Sequence, residues 1–349
     1  MKPRTYVLSV PLVGVLAAAL LAGCAGDPDQ DGCDISALGT ASISLAAAVM
    51  PSRLAPGSVV AGTDGKYLVA SCTDGTCRWN AAGGAYETIS ETGYGAISPD
   101  LTLVARKVGC SDIALVEVDG DKQVQRLEGL PNPKVTDVSP VSEIAFSPDG
   151  ELVAGAGLEG DLIIWSVEDG DEVASTDVRP GASSISFSPD GKLVAVAADD
   201  SVSILETDSG DKVGTVSAAS GADPVWSPDG RWIAGVTTEG YPTVWDAKTL
   251  EAAETLPGHP VGAVAFSPDS RSLAVTSDSD DAELILWAPE ALGGTGESRD
   301  LVRSAVPSSN VIFSPDGKTL YTASAEEGIA AWDVATGKPA AQLDQPPMS

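Results

Sequence analysis

The tetrapeptide Ser-Pro-Asp-Gly constrains this chain more than any other feature. It starts at Ser147, Ser188, Ser227 and Ser314, with near-copies Ser98-Pro99-Asp100-Leu101 and Ser267-Pro268-Asp269-Ser270 and a worn copy, Gly62-Thr63-Asp64-Gly65. The motif aspartates stand at 64, 100, 149, 190, 229, 269 and 316, with gaps of 36, 49, 41, 39, 40 and 47 residues. A supersecondary unit repeated seven times at about forty residues cannot bury its apolar faces alone, so the units must stack on one another.

Each unit reads alike. An apolar pair, usually with an aromatic, precedes the turn (Phe146, Phe187, Trp226, Phe266, Phe313) and marks a first strand. Pro presets φ near −65° and Gly accepts a positive φ, so the tetrapeptide reverses the chain. A second strand follows, such as Leu193–Ala197, apolar on both faces as a strand between two sheets must be. A third strand ends in Trp79, Val116, Trp165, Leu205, Trp245, Trp287 or Trp332, 15 to 18 positions beyond the motif aspartate. Gly/Asp-rich turns such as Glu168–Asp171 open a more polar fourth strand. Four strands in each of seven units predict an all-β, seven-bladed β-propeller of four-stranded antiparallel blades over residues 55–349.

Trp245-Asp246 and Trp332-Asp333-Val334-Ala335-Thr336-Gly337 resemble the third-strand ending of WD-repeat proteins, and Leu256-Pro257-Gly258-His259 resembles that family's Gly-His opening of a blade. Two of the seven units keep Trp-Asp and one keeps Gly-His. The resemblance implies a structural network in blade six, in which His259 bonds Asp281 and the chain of bonds continues to Trp287. With so few of the family's motif positions kept, the resemblance carries the fold but not a partner specificity. His259 is the sole histidine, which excludes multi-histidine zinc sites and leaves one candidate for any histidine mechanism.

The first 24 residues read as an address. Lys2 and Arg4 precede an apolar run from Tyr6 to Leu21, too short for a comfortable membrane span. The run ends in Leu21-Ala22-Gly23-Cys24, which resembles a bacterial lipobox. The resemblance makes 1–23 a lipoprotein signal peptide, Cys24 the lipidated mature N-terminus, and 24–54 a tether leading into the propeller. Acyl burial is worth ~0.8 kcal/mol per CH₂, so several chains hold without basic residues. The expected location is the exported side of a bacterial cell membrane.

Four cysteines then remain for an oxidising compartment: Cys33, Cys72, Cys77 and Cys110. Cys72 and Cys77 flank Thr73-Asp74-Gly75-Thr76, and Asp-Gly is a favoured two-residue hairpin turn. That turn would set Cys72 across from Cys77 at a non-hydrogen-bonded rung, within disulfide reach. By elimination Cys33 would bridge Cys110, a long loop whose closure stabilises by ~4 kcal/mol in the chain-entropy model.

Charge narrows function. Fifty acidic residues face twenty basic ones, a net −30, which repels phosphate backbones and sets nucleic acid aside. The turns between second and third strands are acidic throughout: Asp74, Asp112, Glu159 with Asp161, Asp199 with Asp200, Glu239, Asp278 with Asp280 and Asp281, and Glu326 with Glu327. On a propeller they gather on one face. Asp is a turn former in any acidic chain; a functional ring would attract a basic segment or divalent cations, at a rate falling with salt. The segments Gly129–Ser142 and Ala288–Ser298 break the repeat and are candidate contact loops. No Gly-x-Ser-x-Gly elbow, Walker loop or His-Glu metal motif occurs. The residues just before the turns are apolar or aromatic rather than acidic metal ligands. The expected function is therefore a monomeric, non-catalytic scaffold without cofactor or metal, binding an extracytoplasmic protein or envelope polymer. The alternative is a lactonase-like propeller hydrolase, or a sensor with a small molecule or metal in the channel.

Overall fold

The computed structural model describes residues 60–61, 66–72, 75–90, 95–108, 112–118, 122–129, 141–157, 160–178, 182–218, 223–256, 263–276, 283–303, 310–324, 328–341 and 343. Within them lie seven four-stranded antiparallel sheets, each made of four consecutive strands. The first strands Gly95–Ile97, Val141–Phe146, Ser184–Phe187, Val225–Trp226, Ala263–Phe266 and Asn310–Phe313 touch one another in succession about an axis. Val60–Ala61 of blade one touches the last of them. The seven-bladed propeller is thus the fold observed. Among the described residues, helical structure is the single 3-10 turn Glu290–Leu292, and no helix is long and apolar enough to cross a membrane.

One buried hydroxyl makes each hairpin. In six blades the motif serine is buried (Ser98, Ser147, Ser188, Ser227, Ser267, Ser314). Its Oγ donates to the motif aspartate at 2.5–2.7 Å. The same Oγ accepts the backbone N–H five residues on, at 2.9–3.0 Å. The aspartate Oδ1 accepts the N–H two residues on, at 3.0–3.2 Å. The donated serine bond holds the carboxyls of Asp149, Asp190, Asp269 and Asp316 below the usual range. Adjacent turns also meet: the Asp229 N–H donates to Ser270 Oγ at 3.1 Å, joining blades five and six.

Apolar second and third strands fill the spaces between blades. Alternate residues of Leu152–Gly157 face opposite neighbours. Val153 packs with Ile113, Leu115, Leu127 and Trp165, while Ala154 and Ala156 pack with Phe187, Val194 and Val196. Full burial of each large aliphatic side chain is worth ~1.5–3 kcal/mol, so these interfaces carry the fold. The third-strand residues Trp79, Val116, Trp165, Leu205, Trp245 and Trp287 are all buried. Trp165 donates its indole N–H to the Glu128 carbonyl of the preceding blade at 3.0 Å.

The ring closes by side-chain packing. Blade one keeps its own fourth strand, Tyr86–Ser90, and blade seven its own, Pro339–Ala341. At the seam Leu68, Cys77 and Trp79 pack with Tyr321, Ala323, Ile329, Ala331 and Leu343. The Tyr321 hydroxyl donates to the Ala81 carbonyl at 3.4 Å, and a single parallel bridge joins Gly84 to Leu343.

One expected register does not form. Cys72 pairs with Gly75 and Cys77 with Ala70, so the cysteines do not share a rung. Packing overrides the local preference for Asp-Gly, because this register sets buried Leu68 against buried Trp79. The same aliphatic–Trp pair recurs as Val153–Trp165, Ile233–Trp245, Leu273–Trp287 and Leu320–Trp332. Cys77 is buried and disulfide-bonded. Cys24, Cys33 and Cys110 lie outside the described residues.

The turn makes a paired prediction. The fourth turn position is left-handed even where glycine is missing, with φ 60° at both Leu101 and Ser270. A side chain there costs about 1 kcal/mol, so Leu101→Gly should raise Tm in a melting scan. Ser227→Ala leaves the Trp232 N–H without its acceptor and should destabilise by ~1–3 kcal/mol in urea unfolding.

Candidate functional site

The first strands bring a polar layer to the axis. Four residues before each motif serine stand Glu143, Ser184, Asp223, Ala263 and Asn310, from blades three to seven. Glu143 pairs with Ala156, Ser184 with Ala197, Ala263 with Thr276 and Asn310 with Ala323, so these positions share one level of the inner strands. Lys107, near the end of blade two's second strand, approaches from the side.

The layer is electrostatically coupled. Enclosure by the inner strands pushes the Glu143 carboxyl up to about 7, with the Lys107 charge pulling it down and Asp223 pushing it further up. Enclosure also raises Asp223, against a hydrogen bond from the Ser184 hydroxyl, and lowers Lys107, against the attraction of Glu143. Lys107 and Asp223 both reach solvent, as groups in a water-filled channel with low-dielectric walls do. Asn310 Oδ1 and Arg106 Nε are buried without a hydrogen-bond partner. Among the described residues no three His, Cys, Asp or Glu side chains come within range of one metal ion.

This layer is absent from the expectation drawn from sequence. The residue just before the turn is aromatic, as at Phe146 and Phe187, and carries no ligand chemistry. Glu143 lies three residues earlier on the same strand, on its opposite face. A signal was available: Glu143 interrupts an apolar first strand, and Arg106-Lys107 put two cations in a second strand where other blades read Leu-Val-Ala-Val-Ala-Ala or Trp-Ile-Ala-Gly-Val.

Charged turns line both faces. Of the acidic second-to-third turns, the structure describes Asp112, Asp161, Asp199, Asp200 and Glu239. Asp199, Asp200 and Glu239 are exposed, and Asp161 is half-buried. Asp112 is paired with Arg126 at 2.6 Å, which removes it from any free acidic ring. Asp74, Glu159, Asp278, Asp280, Glu326 and Glu327 lie outside the described residues. On the opposite face the motif aspartates are bound into their turns, and a basic residue directly follows the turn in five blades: Lys66, Lys192, Arg231, Arg271 and Lys318. Of the blade-six network, Trp287 is buried on its third strand, Glu283–Trp287; His259 and Asp281 lie outside the described residues. Blade seven carries a bond of related form, from the Trp332 indole N–H to Thr322 Oγ1 at 2.9 Å. The Trp-Asp aspartates cap local turns: Asp246 accepts the Lys248 and Thr249 N–H groups, and Asp333 that of Thr336.

Ring, polar axis and charged turns define a β-propeller with surfaces open to a partner. The WD40 model (WD domain, G-beta repeat) matches residues 123–166, 178–206 and 251–288, so these three stretches are similar to WD40 repeats. The matches start on, just before or just after the fourth strand of one blade, and all three end at or just beyond the third strand of the next. A protein of Deinococcus radiodurans described as an uncharacterized WD repeat-containing protein is 32% identical over 136 residues, which is 35% of this chain and 52% of that protein. The match thus spans about half of that relative's length. A chain in the crystal structure of a mitotic checkpoint complex superposes with a TM-score of 0.64 at 17% identity, over 81% of this chain and 91% of that one, a likeness of fold.

The Glu143 carboxyl makes stability depend on pH. Below about pH 4.5 folded and unfolded chains both hold its proton; between there and about 7 the unfolded chain alone releases it, so stability falls as pH rises. Glu143→Gln should therefore stabilise by roughly 1–2 kcal/mol above pH 7 and change nothing near pH 4. Melting curves across that range check this, and a uniform shift at every pH would refute it.

Proposed function

We propose that this chain is an exported, lipid-anchored, non-catalytic scaffold that binds an extracytoplasmic protein or envelope polymer on the faces of its propeller. The observation that carries the reading is the ring itself: seven sheets held by buried contacts, with charged turns displayed on both faces. A rigid scaffold presenting variable loops is the usual layout of an interaction surface. The similarity to WD40 repeats supports a protein partner. Leu21-Ala22-Gly23-Cys24 supports export and lipidation at Cys24. The disulfide at Cys77 agrees with an oxidising compartment.

A second reading has one observation in its favour. Glu143, Ser184, Asp223 and Asn310 place acceptor groups at a single level of the axis. That layer suits a small polar ligand or cation in the channel, as a sensor or a lactonase-like hydrolase would require.

Pull-down from detergent-solubilised envelopes, with wild type and Cys24→Ala side by side, separates the readings. The scaffold reading expects the variant to accumulate as unprocessed precursor off the membrane, and wild type to retain a specific partner at physiological salt. Full processing and membrane retention of Cys24→Ala would remove the lipid anchor. No captured partner, together with calcium heat in calorimetry abolished by Asp223→Asn, would favour the channel reading.

A further inference from the structure

The fifth position of the turn motif is a basic arc in an acidic molecule. From blade four round to blade one it reads Lys192, Arg231, Arg271, Lys318 and Lys66; blades two and three break it with Thr102 and Glu151. The turn uses this residue's backbone N–H, donated to the motif aspartate, so its side chain is free to vary. Lys192 and Lys318 lean on the carboxylates of their own turns, at 3.6 and 3.5 Å. Arg231 and Arg271 are different. Both are exposed, and among the described residues neither guanidinium makes a side-chain hydrogen bond, although the Arg271 charge acts on Asp269 and the Arg231 charge on Asp246 at a distance.

Between these two arginines lies a cleft of about 360 Å³ that also includes Trp232, Ser270 and Leu292. The Arg231 guanidinium carbon sits 5.7 Å from the centroid of the Trp232 ring, a stacking that holds the fork over the cleft. Blade six supplies the far wall. Its third-to-fourth connection carries the 3-10 turn Glu290–Leu292, with Leu292 buried beside Trp232. The Ala291 N–H is tied to Glu254 Oε2 of blade five at 2.9 Å. The lining carboxylates of Asp229 and Asp269 each accept a serine hydroxyl and a backbone N–H, which commits them to their own turns; they stay charged, so the partner carboxylate must sit on the arginine side of the cleft.

We propose that this cleft between blades five and six seats a carboxylate side chain of an acidic partner peptide, held by Arg231 and Arg271. Planar guanidinium forks match carboxylates in two-point contact, which an ammonium cannot do. The net charge of −30 does not forbid it, because at physiological salt fields beyond about 8 Å are screened and local groups decide. A narrow peptide fits better than an anionic membrane plane. The same face carries the acidic third-to-fourth turns of blades three and four, with Glu168, Asp169, Asp208 and Asp211 exposed. A flat anionic surface would meet those turns as well as the arc.

The inference rests on the scaffold reading, and the two fail separately. Fluorescein-labelled octaglutamate is titrated into full-length, detergent-solubilised protein at 150 mM salt and followed by anisotropy. The double variant Arg231→Gln/Arg271→Gln should lose at least about tenfold in affinity, while Arg78→Gln/Lys122→Gln, with the same charge removed elsewhere, stays within about twofold. Equal loss in both variants, or no binding by wild type, overturns the cleft. So does arginine-dependent binding of phosphatidylglycerol vesicles with octaglutamate ignored. An envelope partner whose capture is indifferent to Arg231→Gln/Arg271→Gln keeps the scaffold and removes the cleft.

Discussion

A buried serine hydroxyl, acting at once as donor and acceptor, is what the rest of this molecule depends on. Ser147 Oγ donates to Asp149 and accepts the N–H of Leu152, and the same pair of bonds recurs in five other described blades. It satisfies a backbone group that would otherwise lie buried and unpaired where first strand meets second. It also closes the turn with groups that leave the following side chain uncommitted. Structure and display are therefore separated within six residues: Ser and Asp fold the hairpin, and the fifth position faces solvent with whatever charge it carries.

The ring was legible in the sequence because each of its determinants is local and repeated. Pro and Asp bend the turn, and the bulky residue sixteen or so positions later plugs the gap between blades, so a period of about forty is visible without knowing any contact. The Cys72–Cys77 rung was misjudged for the opposite reason. Its register is decided by Leu68 and Trp79 packing against blade seven, more than two hundred residues away in sequence, and that outweighs the turn preference of Asp74-Gly75. The axial layer was missed because it is distributed: Glu143, Ser184, Asp223 and Asn310 each look like an isolated polar residue in a strand. They form one level only when the blades are set around an axis.

Net charge described this chain poorly as a guide to its surface. The acid is dominant in number, yet much of it is engaged: motif aspartates are bonded into turns, and Asp112 is paired with Arg126. Five of the twenty cations stand at the fifth turn position, where the turn geometry leaves the side chain free. A molecule that repels polyanions at long range can thus hold a short acidic segment at close range, since Coulomb terms between exposed groups fade within a Debye length.

Every blade here is assembled from consecutive strands, and that gives the ring a mechanical character. Among the described residues, the joint between blades seven and one consists of Leu68, Trp79, Tyr321, Ile329 and their neighbours, with one backbone bridge at Gly84 and Leu343. Such a ring can gape like a split washer: all seven sheets keep their hydrogen-bond ladders while one apolar joint is wetted. Widening at that joint would enlarge the space on the axis without unfolding a blade.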